Sequence, residues 1–216
     1  MTPKVLLVGS TGQVGSELLP LLRKRYGQTR VIAGVFGPAT DYAAIDGPKE
    51  VFDVTDASAL AAVLGRYEID TIYHLGGVLS AVGERDPSFA WRINMQGLKN
   101  VLDAAVASKV SRVFWPSSIA VYGPDAPHEK APQDAPLNPT SMYGVTKVAG
   151  ELLCSYYSHK FGLDTRVLRY PGLISSATPP GRSRRQCAKM YKSCPADVPG
   201  SSTVAPISRR HSTAAQ

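Results

Sequence analysis

The sequence has few cysteines, and their number is odd. Cys154, Cys187 and Cys194 are the three in 216 residues, and no two of them have the spacing of a CxxC or zinc motif. Such a set excludes a disulfide framework and indicates a reducing compartment. We therefore expect no metal site and a cytoplasmic protein, or a mitochondrial matrix protein if the source is eukaryotic.

Long apolar runs are absent as well. A helix that crosses a bilayer needs about 20 consecutive apolar residues, and the sequence has no such run. Only Met1, Thr2 and Pro3 precede the first apolar segment, which leaves no room there for a signal peptide. We therefore expect no membrane partner.

Acidic residues are scarce in the C-terminal part of the chain. Residues 176–216 hold seven Lys and Arg but only one acidic residue, Asp197, whereas residues 1–175 hold seventeen basic and sixteen acidic residues. The net charge of +7 therefore comes mainly from the C-terminal part, and the body is almost neutral. A neutral body does not favour a phosphate-backbone surface, and basic tails are often only solvated, so we expect no nucleic-acid partner.

The same C-terminal residues also lack Leu, Phe and Trp, and they contain seven serines and five prolines. Fixing the backbone costs about 1–2 kcal/mol per residue, and burying one large apolar side chain returns only about 1.5–3 kcal/mol. We therefore predict two regions: a folded domain at 1–175 and a basic Ser- and Pro-rich tail at 176–216, which we expect to be disordered.

Apolar runs alternate with amphipathic segments along the predicted domain. Predicted strands are "KVLLVG", "RVIAGVF", "EVFDV", "TIYHLGG", "SRVFWPSS" and "DTRVLRYP". Amphipathic helices follow the first, third, fourth and fifth of these, and Asp56 is a candidate cap for the second helix. This order predicts an α/β fold of the Rossmann type, a doubly wound parallel sheet with helices on both faces.

A glycine-rich turn follows the first predicted strand. Gly9, Gly12 and Gly15 lie between that strand and the first helix. Glycine permits a tight turn and lets the backbone approach a pyrophosphate, while the helix N-terminus offers free N–H groups to an anion. We interpret this GxxGxxG turn as a dinucleotide-binding site rather than an ordinary strand-to-helix connection.

The carboxylate that usually binds the adenosine ribose is missing. It is expected about 20 residues after the last glycine of the turn, and Val35 stands at that position. No acidic or basic residue occurs between Ala33 and Thr40, so the sequence shows neither an NAD nor an NADP preference. Asp53, after the third strand, could accept a hydrogen bond from adenine or could simply form a turn.

A candidate general base lies on the last predicted helix. Tyr143 and Lys147 are four residues apart and so share one face of this helix. A neighbouring cation is expected to lower the pKa of a phenol, which is ordinarily near 10. Ser117 and Ser118 end the fifth strand, where ligands bind in such sheets. We expect His74 to be a hydrogen-bonded core residue and Cys154 to be a core residue.

In this order, "GSTGQVG", "FDV", "HLGG", "PSSIAVYG" and "YGVTK" resemble the extended short-chain dehydrogenase/reductase superfamily, which includes NAD-dependent epimerases and dehydratases. The resemblance is closer to the short-chain type of L-threonine 3-dehydrogenase. It is carried by "GQVGSEL", "LSAVGE", "FWPSSIAVYGP", "NPTSMYGVTKVAGELL" and "RYPGLIS", within residues 4–181.

The resemblance implies NAD-dependent oxidation of L-threonine to 2-amino-3-ketobutyrate, in threonine catabolism, by a homodimer. It implies that Tyr143 is the base, that Lys147 assists it and holds the nicotinamide ribose, and that Ser118 is the third catalytic residue. It places Ser80, Ser118 and Tyr143 beside the substrate. With Tyr143 and Lys147, the implied cofactor-binding residues are Gly9, Gly12, Gln13, Val14, Gly15, Asp53, Val54, Leu75, Gly76, Asn94, Tyr170, Pro171 and Leu173.

Two departures from the family affect these expectations. Val35 replaces the ribose Asp, and "RSRRQ" follows Gly181 where the family continues into its substrate-binding region. The C-terminal substrate region is therefore expected to be missing, and activity to be impaired. A sugar-nucleotide epimerase or dehydratase, which would use the same Tyr and Lys, and a catalytically silent nucleotide-binding module are the alternatives.

Overall fold

A computed structural model describes residues 2–37, 42–127 and 130–173. The predicted tail at 176–216 and its expected disorder lie outside these residues. The described residues form a sheet of six parallel strands in the order β3-β2-β1-β4-β5-β6. The strands are β1 Val5–Val8, β2 Val31–Val35, β3 Lys49–Val51, β4 Thr71–His74, β5 Arg112–Ser118 and β6 Asp164–Tyr170.

The strand order reverses between β1 and β4. The chain builds β1, β2 and β3 toward one edge and then returns to place β4, β5 and β6 toward the other. This arrangement confirms the predicted doubly wound parallel sheet. Ligands in such sheets bind at the reversal, beyond the carboxyl ends of the strands. The reversal therefore places the glycine turn after β1 beside the loop after β4, with the end of β5 one strand further along the same edge.

Helices cover both faces of the sheet. They are α1 Gln13–Tyr26, α2 Ala57–Tyr67, α3 Ser80–Gly83, α4 Pro87–Trp91, α5 Gly97–Ala107 and α6 Met142–Phe161. Asp56 caps α2 as predicted, because its carboxylate accepts hydrogen bonds from Ser58 N and Ala59 N at 2.9 and 3.0 Å. No helix in the described ranges is both long and apolar enough to cross a membrane.

The helix that the sequence predicts after the fourth strand is divided in the structure. A π-helical segment, Arg92–Gln96, separates α4 from α5. The backbone remains right-handed helical at both junctions, so the helix widens without breaking. Such segments occur often at functional sites because the wider turn redirects a side chain. Here the segment contains Asn94.

Alternate residues of β1 belong to two cores. Leu6 and Val8 pack with α2, α5 and α6, whereas Val5 and Leu7 pack with α1. All four are buried. A strand that is buried on both faces reads as a continuous apolar run, which explains why "VLLV" shows no alternation.

Candidate active site

The glycine turn after β1 is tight for identifiable reasons. Gly9 has φ +83°, and a Cβ there would lie 2.8 Å from the backbone nitrogen of Gly76. A Cβ at Gly15 would collide with the carbonyl oxygen of Gly9. Gly9 N and Ser10 N both donate to Gly34 O, at 3.0 and 3.1 Å, which ties the turn to the end of β2. A side chain at either of these two glycines would fill the turn.

The N-terminus of α1 faces the place where a pyrophosphate is expected. Gly12 is its N-cap and has no side chain that could accept a hydrogen bond from the first turn. The first N–H groups of a helix have no partners within the helix and carry a partial positive charge. Gln13 Nε2 donates to Leu173 O at 3.2 Å, so two predicted cofactor residues from opposite ends of the domain come together.

A cavity of about 210 Å³ opens beside the turn, between the ends of β1, β2 and β4. Among the described residues that line it, Asp53 is the only charged one. The cavity contains the predicted residues Gly9, Asp53, Val54 and Gly76, together with the aromatic rings of Phe36, Phe52 and Phe89. Such a wall suits a flat, weakly polar ring such as adenine.

Val35 lines this cavity and is only 2% exposed. Its side chain belongs to the core beneath α1, with Leu7 and Leu19. Asp53 Oδ1 accepts hydrogen bonds from Thr55 N and Thr55 Oγ1, both at 2.8 Å, so Asp53 forms a turn. The cavity therefore offers a surface for the adenine ring but no carboxylate at position 35 for the ribose.

Asn94 supports the loop after β4. Its Oδ1 accepts a hydrogen bond from Val78 N at 2.7 Å, and its Nδ2 donates to Val78 O and to Thr146 Oγ1, both at 3.1 Å. Asn94 is only 4% exposed. Its amide therefore joins the loop that holds Leu75 and Gly76 to α6. The proposed contact between Asn94 and the cofactor stays a prediction.

The three predicted catalytic residues converge at the carboxyl end of β5. The Ser118 hydroxyl is close enough to the Tyr143 phenol to act on its pKa, and it accepts a hydrogen bond from Ala120 N at 3.2 Å. Lys147 Nζ donates to Pro116 O at 2.6 Å and lies 4.2 Å from the centre of the Trp115 ring. The geometry also separates the two serines, because the Ser117 hydroxyl is buried and donates to Glu151 Oε1 at 2.5 Å.

The pKa of Tyr143 is not lowered as expected, and Lys147 is not among the groups that act on the phenol. Burial raises the pKa of Tyr143 above its ordinary value, and the hydrogen bond with Ser118 opposes that rise. The Lys147 ammonium lies 5.4 Å from the Tyr143 ring centre, and its hydrogen bond goes to Pro116. Burial lowers the pKa of Lys147 to about 8, against the smaller opposing effects of Cys154 and Glu151.

His74 is buried as predicted, but the prediction that it would be hydrogen-bonded was wrong. It is 0% exposed, and neither ring nitrogen has a hydrogen-bond partner among the described residues. Burial, and secondly the charge of Lys147, lowers the pKa of His74 to about 3, so the ring is neutral at neutral pH. Cys154 is a core residue as predicted, and burial raises the pKa of its thiol to about 12.

The remaining predicted residues lie at the rim of the site. Ser80 begins α3, and Glu84, just after this helix, accepts a hydrogen bond from Met142 N at 2.7 Å, which joins α3 to the start of α6. Tyr170 ends β6 directly opposite Ser118, and Pro171 follows it. In the described ranges, no three His, Cys, Asp or Glu residues are grouped as metal ligands.

Glu151 and Arg169 lie next to the site but are not among the residues that the sequence predicted for it. Arg169 Nε and Nη2 donate to the two carboxylate oxygens of Glu151 at 2.9 and 2.8 Å. Their side chains are only 15% and 17% exposed. The available signal was the spacing: Glu151 follows Lys147 by four residues, as Lys147 follows Tyr143.

Comparison with known proteins agrees with this geometry. The sequence model of the NAD dependent epimerase/dehydratase family matches residues 5–203. An uncharacterized epimerase/dehydratase of Staphylococcus saprophyticus is 45% identical over 179 residues, which are 82% of this chain and 56% of that protein. The chain thus spans little more than half the length of the curated relatives that it matches.

Two solved structures carry the name that the sequence motifs suggested. The L-threonine dehydrogenase of Clostridium difficile is 47% identical, with a TM-score of 0.78 over 83% of this chain and 56% of that one. The holo form of a GalE-like L-threonine dehydrogenase from Cupriavidus necator is 45% identical, with a TM-score of 0.77 over 82% and 58%. The resemblance found in the sequence is therefore confirmed.

Proposed function

The chain belongs to the NAD dependent epimerase/dehydratase family, and from that premise we propose that its reaction is the NAD-dependent oxidation of L-threonine to 2-amino-3-ketobutyrate. The observation that carries the proposal is the convergence of Ser118, Tyr143 and Lys147 at the carboxyl end of β5, on the same edge of the parallel sheet as the glycine turn. The two threonine dehydrogenase structures support this substrate over the others known for the family.

The residues present fit the cofactor. The turn at Gly9 and Gly15 has no room for a Cβ, the start of α1 has no side-chain cap, and the neighbouring cavity is walled by rings. Gly9, Gly12, Gln13, Val14 and Gly15 would hold the pyrophosphate, and Asp53, Val54 and Gly76 would border the adenine. NAD, when bound, accepts the hydride that leaves the hydroxyl-bearing carbon.

The protein's own residues handle the proton. Ser118 would hold the substrate hydroxyl by a hydrogen bond, and the Tyr143 oxygen, as phenolate, would take its proton while the carbonyl forms. Because burial raises the pKa of Tyr143, this base needs stabilisation of its charged form. Lys147, one helical turn away, is the cation that can supply it once the ammonium moves from the Pro116 carbonyl.

The test measures NADH formation from L-threonine by the 216-residue chain. A second chain, extended with the C-terminal region of a threonine dehydrogenase relative, is assayed beside it. Tyr143→Phe in both chains is the matched control, since it removes only the phenolic oxygen. The proposal predicts Tyr143-dependent NADH formation in the extended chain and a weaker or absent signal in the shorter one. No NADH from the extended chain would overturn it.

A sugar-nucleotide epimerase is a second candidate, favoured by the similarity to the epimerase/dehydratase of Staphylococcus saprophyticus. It would use the same Tyr143 and Lys147 but would return the hydride to the substrate. Interconversion of UDP-glucose and UDP-galactose without net NADH would support it. Binding of NAD with neither reaction would support the silent nucleotide-binding module, for which Val35 argues. The homodimer also remains a proposal, to be tested by sedimentation.

A further inference from the structure

Three successive residues at the end of β5 each face one residue of α6. Pro116 O accepts a hydrogen bond from Lys147, Ser117 Oγ donates one to Glu151, and the Ser118 hydroxyl acts on the Tyr143 phenol. The three partners on α6 are separated by four residues each, which places them on one stripe of the helix. Two of these partners, Tyr143 and Lys147, are predicted catalytic residues. The third partner is Glu151, which is not one of them.

Arg169 fixes the third contact from β6. It lies directly opposite Ser117 in the sheet and grips both oxygens of Glu151 with its Nε and Nη2. Its remaining nitrogen, Nη1, donates to Tyr122 Oη at 2.9 Å and to Gln133 O at 3.0 Å. The guanidinium thus joins α6, the end of β5 and the loop that connects them.

We propose that Glu151, held by Arg169, is a positioning residue that sets the axial position of α6 against β5 and so places Tyr143 and Lys147 relative to Ser118. This role rests on the proposed function, since it serves the same site. Neither side chain belongs to the three predicted catalytic residues. A two-oxygen, two-nitrogen pair defines an angle as well as a distance, which a single hydrogen bond does not.

The cost of misplacement explains why such a pair is present. A shift of about 1 Å at a reacting group can reduce a rate on the order of a hundredfold. A salt bridge with little exposure is weak evidence for stability, because desolvation offsets the attraction between the charges. The observed contacts instead support a role in which the salt bridge between Glu151 and Arg169 constrains the geometry of the site.

The pair also balances charge around Lys147. Groups that act on the ammonium are Glu151 and Cys154 on α6, His74 from β4, the Trp115 ring from β5 and the Tyr143 ring. Arg169 lies beyond Glu151 and neutralises it. Glu151→Gln keeps an acceptor for Ser117 but leaves the Arg169 guanidinium without a negative partner. Arg169→Met leaves the Glu151 carboxylate without a positive partner.

The experiment uses the full 216-residue chain, labelled with ¹³Cε-lysine and ¹³Cζ-tyrosine. Signals of Lys147 and Tyr143 are assigned by their loss in Lys147→Met and Tyr143→Phe. Glu151→Gln should lower the titration midpoint of Lys147, and Arg169→Met should raise it, each by about half a pH unit or more. The double variant should return the midpoint toward that of the parent chain. Both single variants should also shift the Tyr143 signal.

An unchanged Tyr143 signal in folded single variants would overturn the proposal, because the lost charge by itself accounts for a shift of the Lys147 midpoint. If a single variant fails to fold, the double variant decides. The double variant restores the charge balance but lacks the two parallel hydrogen bonds between Arg169 and Glu151. Its Tyr143 signal should therefore still differ from that of the parent chain, and an identical signal would contradict the inference.

A kinetic arm separates this inference from the proposed function. In the extended chain, Glu151→Gln should lower kcat about tenfold with KM for NAD unchanged, and Arg169→Lys should rescue less than half of the loss seen in Arg169→Met, since one ammonium cannot reproduce the fork. If the extended chain without these substitutions forms no NADH from threonine, the proposed function fails, and the NMR titrations still decide the positioning role.

Discussion

The two sides of the sheet reversal contribute different kinds of chemical groups to the site. On the β1–β3 side, the turn at Gly9 and the cavity beside it consist of backbone groups and apolar side chains, with Asp53 as the one charged residue among the described lining. On the β4–β6 side, the buried side chains of Asn94, Lys147 and Ser117 and the half-buried side chain of Arg169 bond to other side chains and to the backbone.

The difference follows from what each side must do. A pyrophosphate and a flat ring can be held by N–H groups and by apolar surface, which do not change charge with pH. Proton transfer needs groups that do change charge, and burying such groups shifts their pKa values. The pH dependence of both stability and activity should therefore originate on the β4–β6 side.

Tyr143→Phe should have the largest effect on activity. Loss of a general base typically reduces the rate by about 10²–10⁴-fold, and this change removes a single oxygen from a half-buried ring. NAD affinity and the unfolding free energy should change little, because the glycine turn lies on the other side of the reversal. Steady-state NADH formation and calorimetric titration of NAD make the test. A variant with full rate would place the base elsewhere.

His74→Leu should change the response of stability to acid. The pKa of His74 is about 3 in the folded protein and ordinarily 6.5, so the unfolded chain binds the extra proton between these values and folding weakens as the pH falls. Between pH 6.5 and pH 4 the leucine variant should lose about 3 kcal/mol less than the parent chain. Urea unfolding at both pH values measures this, and parallel losses would show that His74 is not the cause.

Lys147→Met should flatten the alkaline part of the stability curve. The folded pKa of Lys147 is about 8 and its ordinary value is 10.5, so the lysine contributes stability that rises as the pH increases between those values. In the parent chain this increase in the free energy of unfolding should be on the order of 3 kcal/mol, and the variant should lack it. Urea unfolding at pH 7.5 and 10 compares the two proteins, and Lys99→Met, at an exposed site, is the control.

Val35→Asp should have the smallest of these effects, and it should improve a function, because we expect it to strengthen NAD binding. A carboxylate at the end of β2 can accept hydrogen bonds from the ribose hydroxyls, and such a bond to a charged group contributes about 1.5–3 kcal/mol before the cost of burying it. We expect NAD to bind about tenfold more tightly and NADP not to improve. Calorimetric titration beside Val35→Asn tests the charge, and equal NAD affinities in parent and variant would show that position 35 does not limit binding.

The fold could be predicted from the sequence because its signals are local. Continuous apolar runs such as "VLLV" and the cap at Asp56 reflect contacts within a few residues or burial on both faces. The glycine turn was equally visible, since the positive φ of Gly9 and the close approach at Gly15 both exclude side chains. The division of the helix at Arg92–Gln96 was not visible, because it depends on the contacts of Asn94 with the loop after β4.

The catalytic site also has some features that the sequence alone determined and others that depend on the tertiary structure. Tyr143, Lys147 and Ser118 were found from spacing along one helix and position at one strand end, which the sequence alone determines. Only the tertiary structure decided that burial raises the pKa of Tyr143, that Lys147 points to the Pro116 carbonyl and that His74 has no hydrogen-bond partner among the described residues. Likewise, Glu151 meets Arg169 across the gap between α6 and β6. Burial and ion pairing depend on segments that are distant in the chain, so no local pattern encodes them.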